Sequence, residues 1–280
     1  MLFCFGLGYS ALHYLRQTGA TPACGTVRDA STQIDVAGLR TFKFEPGDTS
    51  LRKSLTAAGR ILVSIPPDGL GDLVLRHFAG ALPRGSQIVY LSSLGVYGDA
   101  HGAIVTEETE CHPHFARSQA RLAAERAWEQ AADSAHAKLA ILRLAGIYGP
   151  QRNALTAVKR RETRRIAKPG QVFNRIHVTD IAQAIDAAFS RRAAGVFNVA
   201  DDEPAPPGDP IVFAAELLGV PPPPEIPFEE ARRNMTPMAL SFYEECRRAD
   251  NIKLKTALGV RLRYPTYREG LRASFENGDY

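Results

Sequence analysis

The chain opens with a short apolar run, Leu2 to Phe5, which passes through a glycine-rich turn into a segment of helical period, Tyr9 to Gln17. The same alternation recurs. Apolar runs at Ala23 to Val27, Thr41 to Phe44, Ile61 to Ile65, Ile88 to Leu91 and Leu139 to Leu144 predict strands. Segments spaced for helices lie between them at Leu51 to Ala58, Asp72 to Leu82 and Arg117 to Ala132. Short continuous apolar strands separated by helices predict an α/β fold, a doubly wound parallel sheet, over residues 1–150. After Pro150 proline-rich connections enter, at Glu203 to Pro210 and Pro221 to Pro227. Strands are expected there at Gln171 to His177 and Val196 to Val199, with a helix over Val178 to Phe189. Residues 151–280 therefore supply remaining sheet elements and a small lobe over the carboxyl edge, where ligands bind in such folds.

Composition narrows the class without naming a function. Of 280 residues, 45% are apolar and 23% charged, which suits a folded globular chain rather than a disordered or fibrous one. The net charge of +4 is too small to point to nucleic acid. The apolar start is broken by Gly6, Gly8, Ser10 and His13 and reads as strand, turn and helix, so neither a signal peptide nor a membrane partner is expected. Cys4, Cys24, Cys111 and Cys246 are far apart, which argues against a zinc site or a disulfide framework. Reduced thiols and a cytoplasmic location are the expectation, with Cys4 and Cys24 in buried strands.

Gly6-Leu7-Gly8-Tyr9-Ser10-Ala11 stands between the first strand and the first helix, the context that a G-x-G-x-x-A dinucleotide loop requires. Gly6 permits the turn, Gly8 opens an approach for a pyrophosphate, and Ala11 lets helix pack on strand. The second strand runs into Arg28 and Asp29. A guanidinium there suits a 2′-phosphate, so NADP is favoured, while Asp29 leaves NAD open.

These residues, together with Tyr90-Leu-Ser-Ser-Leu-Gly-Val-Tyr-Gly98, Arg143-Leu-Ala-Gly-Ile-Tyr-Gly-Pro150, Arg175-Ile-His-Val-Thr-Asp-Ile-Ala182 and Val196-Phe-Asn-Val-Ala200, resemble the extended short-chain dehydrogenase/reductases. These form the NAD-dependent epimerase/dehydratase group of Rossmann proteins. The resemblance covers nearly the whole chain. It implies that Ser93 is the active-site serine and that the cofactor is lined by Gly6, Gly8, Tyr9, Ser10, Ala11, Arg28, Pro66, Ser92, Arg121 and Gly146.

The family places a Tyr-x-x-x-Lys pair on the helix after the serine strand. Counting back from Glu125, which resembles the acidic residue four places after that lysine, puts Arg121 at the lysine position and Arg117 at the tyrosine position. A guanidinium stays protonated and cannot serve as an ordinary proton donor and acceptor. Ile65-Pro66-Pro67-Asp68 and Arg117-Ser-Gln-Ala-Arg121 resemble an atypical subgroup in which arginines replace the pair. Ser93, Tyr97, Arg117 and Arg121 are the catalytic candidates on this reading. Tyr97, Tyr148 and His177 could move a proton, although packing roles suit all three better.

The basic run Lys159 to Arg165 could hold the phosphates of a phosphorylated or nucleotide-linked substrate, against the plainer reading of a solvated face. Thr236 to Tyr243 and Arg261 to Arg268 could face the pocket or a second subunit in a homodimer. The expected activity is that of an NAD(P)-dependent oxidoreductase or an epimerase/dehydratase-like protein acting on a small molecule. The alternative is a catalytically silent NADP-binding redox sensor or regulatory protein.

Overall fold

The computed structural model describes residues 1–20 and 22–280. Seven parallel strands form one sheet: β1 (Leu2–Phe5), β2 (Ala23–Val27), β3 (Leu39–Lys43), β4 (Arg60–Val63), β5 (Gln87–Ser93), β6 (Lys138–Leu144) and β7 (Gly195–Val199). Their order is β7-β6-β5-β4-β1-β2-β3. The order reverses between β1 and β4, which creates a ligand crevice at the carboxyl ends. The chain is thus the doubly wound α/β protein that the strand pattern predicts.

Period-two alternation sorts each strand's side chains to two faces. Leu2 and Cys4 of β1, Val89 and Leu91 of β5, and Ala140 and Leu142 of β6 join one core with Ala11, Tyr14, Ile181 and Ile185. Phe3 and Phe5, Ile88 and Tyr90, and Leu139 and Ile141 join the other with Leu51, Leu55, Phe78 and Trp128. Helices α1 (Tyr9–Thr18) and α6 (Val178–Ser190) therefore cover the first face. Helices α2 (Thr49–Thr56), α3 (Leu73–Phe78) and α4 (Ala116–Ser134) cover the second. Apolar side chains on both faces explain why strands such as β1 read as unbroken apolar runs.

Helix boundaries moved where caps act. Asp48 accepts from the amides of Ser50 and Leu51, so α2 starts two residues earlier than its apolar pattern. Asp72 caps α3 through Val74 and Leu75, and its second carboxylate oxygen accepts from the Trp128 indole at 2.9 Å. The helix expected to reach Leu82 ends at Phe78 and continues only as a 3₁₀ turn, Ala79–Ala81, before Pro83.

The strand expected over Gln171 to His177 is short, Arg175–His177, and pairs with Gly146–Tyr148 outside the main sheet. Asn174 interrupts it, because its side chain donates to the Arg247 carbonyl and accepts from the Ala249 amide. Beyond the sheet, α5 (Ala154–Lys159) and the helices Asp209–Leu217 and Tyr267–Glu276 bury Leu155, Ala214, Tyr267 and Leu271 against Tyr148. A smaller cluster of Ile166, Ala231 and Tyr243 packs with Phe173 and Phe228. No helix among the described residues is long and apolar enough to cross a membrane.

Candidate active site

The glycine loop is built as a cradle. Gly6 has φ +89°, and a Cβ added there would lie 2.8 Å from Ser64 Oγ and 2.9 Å from Ile65 Cγ1. Its amide donates to Thr26 Oγ1 at 2.9 Å, and the Leu7 amide to the Thr26 carbonyl at 2.9 Å, which ties the loop to β2. A Cβ on Gly8 would meet nothing within 4 Å, so space is left in front of α1. Gly8 caps α1 with no side-chain hydrogen bond, and no acidic residue stands in the first turn. Orphan amides and the helix dipole therefore face that space, an arrangement that suits the diphosphate of a dinucleotide. Ala11 and Ser10 are buried beneath it. The Tyr9 hydroxyl donates to the Pro150 carbonyl at 3.0 Å, and the Arg152 guanidinium lies over its ring at 5.7 Å.

At the end of β2, Arg28 and Asp29 are both exposed. Asp29 accepts from the Ser31 amide at 2.9 Å, and this bond, aided by Lys43, holds its carboxyl below the usual range. Arg28 takes part in no ion pair among the described residues. Pro66 is exposed just beyond β4, next to the glycine loop that Ser64 clasps by donating to the Gly6 carbonyl at 2.6 Å.

A cavity of about 650 Å³ lies beyond the carboxyl ends of β5 and β6. Ser93 lines it, and its Oγ accepts from the Gly95 amide at 3.1 Å, which leaves the hydroxyl proton free to donate. Ser118, buried at the start of α4, lines the same cavity. A Cβ on Gly95 would lie 3.0 Å from Ser118 Oγ and 3.4 Å from Ser93 Oγ, so the two hydroxyls flank one small residue. Arg117 lines the cavity, with its guanidinium 4.6 Å from the Phe242 ring centroid. Arg152, Gly146, Phe173 and Tyr243 also line it.

The structure places several sequence candidates elsewhere. Tyr97 is buried, is absent from the cavity lining, and donates to Asn198 Oδ1 at 2.7 Å. Burial, opposed by the Arg143 charge, pushes its hydroxyl up to about 12. Its proton is committed to a structural bond, and we expect Tyr97→Phe to cost about 1–3 kcal/mol by stranding the Asn198 acceptor. Dinucleotide binding should not change; thermal unfolding together with a dinucleotide titration checks both halves.

Ser92 lines the cavity, but its hydroxyl is taken by Glu125. Glu125 also receives Arg143, whose Nη2 donates to Oε2 at 2.7 Å. Arg121 donates to Tyr90 Oη at 2.9 Å and to the Leu91 carbonyl at 3.1 Å, so its guanidinium braces β5 and is not part of the cavity lining. Tyr148 lines the cavity but sends its hydroxyl to the Thr266 carbonyl at 3.3 Å. His177 accepts the Thr179 amide at 3.1 Å and caps α6. From the basic run, Arg165 pairs with Glu225 at 2.7 Å and Lys159 lies over the Tyr280 ring, and the cavity lining includes neither.

Ser118 was missed in sequence, although a signal existed. Counting back seven from Glu125, two helical turns, lands on Ser118, so the inward stripe of α4 runs through Ser118, Glu125 and Ala132. Arg117 sits about 100° off that stripe, which explains its exposure. The segment Thr236 to Tyr243 does face the cavity, through Ala239, Phe242 and Tyr243.

Comparison with known proteins agrees with this geometry. Residues 70–200 match the NAD dependent epimerase/dehydratase family. A functionally unknown conserved protein from Silicibacter pomeroyi DSS is 40% identical, with a TM-score of 0.88 over 100% of this chain and 99% of that one. MoeE5, solved in complex with UDP-glucose and NAD, is 21% identical with a TM-score of 0.77 over 98% and 97% of the two chains, a likeness of fold. A 3-diazoavenalumate denitrifying reductase from a Streptomyces species is 36% identical over 96 residues, 34% of this chain and 32% of that protein. The match thus spans about a third of that curated relative's length. The fold is therefore shared with these proteins, and over residues 70–200 the chain is similar to the NAD dependent epimerase/dehydratase family.

Proposed function

We propose that the protein is an NADP-dependent reductase of a small anionic molecule, working without a tyrosine acid. The observation that carries this reading is the cavity itself. In it the free hydroxyl of Ser93 and the buried Ser118 line the same cavity as Arg117 and Arg152, which form no ion pair among the described residues, and Arg152 reaches back over Tyr9 at the dinucleotide cradle. The bound dinucleotide would supply hydride chemistry. Gly6, Gly8 and the amides opening α1 would hold its diphosphate, and Arg28 its 2′-phosphate. Asp29, engaged by Ser31, competes less for a ribose hydroxyl, which supports NADP over NAD.

Ser93 orients the reacting oxygen by donating to it. Arg117 is a permanent cation, so it can neutralise an oxyanion or a substrate carboxylate but cannot hand over a proton. Water entering the open mouth supplies that proton. The reductase name of the Streptomyces relative supports this reading over an epimerase, whereas MoeE5 with UDP-glucose keeps a nucleotide-linked substrate in view.

A second reading, a silent NADP sensor, is favoured by one observation: no tyrosine stands at position 117 or 121. The test titrates NADPH and NADH into the protein and then follows NADPH oxidation across carbonyl, enone and sugar-nucleotide panels that include carboxylates and phosphates. Tighter NADPH binding with oxidation by an anionic substrate is expected. Binding without any turnover would transfer support to the sensor, and equal affinity for both dinucleotides would remove the NADP assignment.

A further inference from the structure

A second cavity, of about 420 Å³, is lined by Pro150 and lies between α1, the start of α6, the segment around Arg263 and the helix Tyr267–Glu276. Helical spacing brings it about. Tyr9, His13, Arg16 and Gln17 of α1 fall on one face, and the last three of these line the cavity. Arg263 is a second arginine in its lining, and His177 adds a ring N–H. Neither Arg16 nor Arg263 forms an ion pair among the described residues. Asp279 also lines the cavity and is its one carboxylate.

The two histidines are held in place from within. His177 is 3% exposed, and its ring rests on Tyr264 at a centroid distance of 4.2 Å and on Tyr148 at 5.0 Å. Its Nδ1 accepts the Thr179 amide, so the ring proton is on Nε2. That donor has no hydrogen-bond partner among the described residues, although the ring lines the cavity. His13 Nε2 lies 3.0 Å from Thr179 Oγ1. Burial, with the nearby His13 and Arg263 charges, pushes His177 down to about 3, as expected where positive groups converge. Two arginines without an ion pair among the described residues, and the Nε2–H of a buried ring that lines the cavity, are what an oxyanion would satisfy.

We propose that this cavity is a second binding site, separate from the dinucleotide and substrate sites, for a small molecule carrying an oxyanion such as a phosphate ester or a polycarboxylate. Arg16 and Arg263 take the oxyanion and His177 donates from the buried wall. The site adjoins the cofactor cradle through one helix, since Tyr9, at the start of α1, is fastened to Pro150, which lines the second cavity. The proposal stands apart from the reductase reading, because binding here requires no turnover.

The test titrates inorganic phosphate, citrate and, at matched ionic strength, chloride into the full chain while the imidazole resonances of His13 and His177 are followed by NMR. Saturable shifts with phosphate or citrate are expected, and the tighter of the two names the ligand's charged group. In Arg16→Gln/Arg263→Gln the affinity should fall by about tenfold or more, as loss of charge-assisted bonds requires. NADPH affinity in that variant should stay within about twofold of wild type, which shows that the fold and the first site are intact. Shifts equalled by chloride, an absence of saturation, or undiminished binding in the double variant would overturn the proposal.

Discussion

Glu125→Ala should lower the unfolding free energy by about 3–5 kcal/mol, the largest single effect we expect in this chain. Glu125 and Arg143 have side chains only 3% and 7% exposed. Arg143 Nε lies 3.2 Å from both carboxylate oxygens, and Nη2 adds a 2.7 Å bond to one of them. Burial opposes the Arg143 charge, but the Glu125 bonds and charge outweigh it and hold the guanidinium firmly protonated. Removing the carboxylate strands that cation beneath the Tyr97 ring, 4.8 Å away, with its Nη1 already lacking a partner among the described residues. Ser92 loses its acceptor as well.

The size of the loss comes from desolvation and not from the pair's own attraction. A variant that removes both charges, Glu125→Met with Arg143→Met, should therefore return to within about 1 kcal/mol of wild type or exceed it. Urea denaturation of the single and double variants decides this. A single-variant loss no larger than that of an exposed ion pair would show that water reaches the site and would undo the argument.

On the proposed NADP reading, Arg28→Ala should weaken NADPH binding by about tenfold to a hundredfold and leave NADH within about twofold, the loss of one to two charge-assisted contacts to a 2′-phosphate. The setting makes the effect easy to isolate. Arg28 is exposed and has no ion-pair partner among the described residues, so its removal strands nothing inside the protein. Asp29 stays engaged with Ser31, and the turn it anchors should survive. Fluorescence titration with both dinucleotides measures the ratio. An equal loss for NADH would mean that Arg28 acts on the adenosine common to both, and the preference for NADP would fall.

Much of the sheet was legible because its strands are buried on both faces. β1 and β2 match their expected limits residue for residue, since an apolar run with a turn at each end leaves no freedom in register. The glycine loop was legible for the same local reason: six consecutive residues carry the whole motif. What escaped lies in pairings that no local pattern encodes. Tyr97 meets Asn198 across 101 positions, and Ile104–Val105 pairs with Arg248–Ala249. The direction of the Arg121 guanidinium is set by Tyr90 and Leu91 on β5, so a helix position alone could not show that it braces the strand. Asn174 ended a run of strand-forming residues by bonding to residues 247 and 249.

The last strand of the sheet has a consequence for anyone building chimeras. β7 pairs with β6 along its whole length, and α6, just before it, packs on the same core as α1. The material beyond the sheet is therefore divided, one stretch between Pro150 and Arg175 and another after Asp201, and the second returns to the sheet core through Ala249, Leu254, Leu258 and Val260. A transplant of everything after residue 150 would carry off an edge strand and half of a covering layer. Exchanging a recognition surface between relatives calls for two crossovers per exchanged segment, with the segment from Arg175 to Asp201 and the stretch from Arg248 to Val260 left to the recipient.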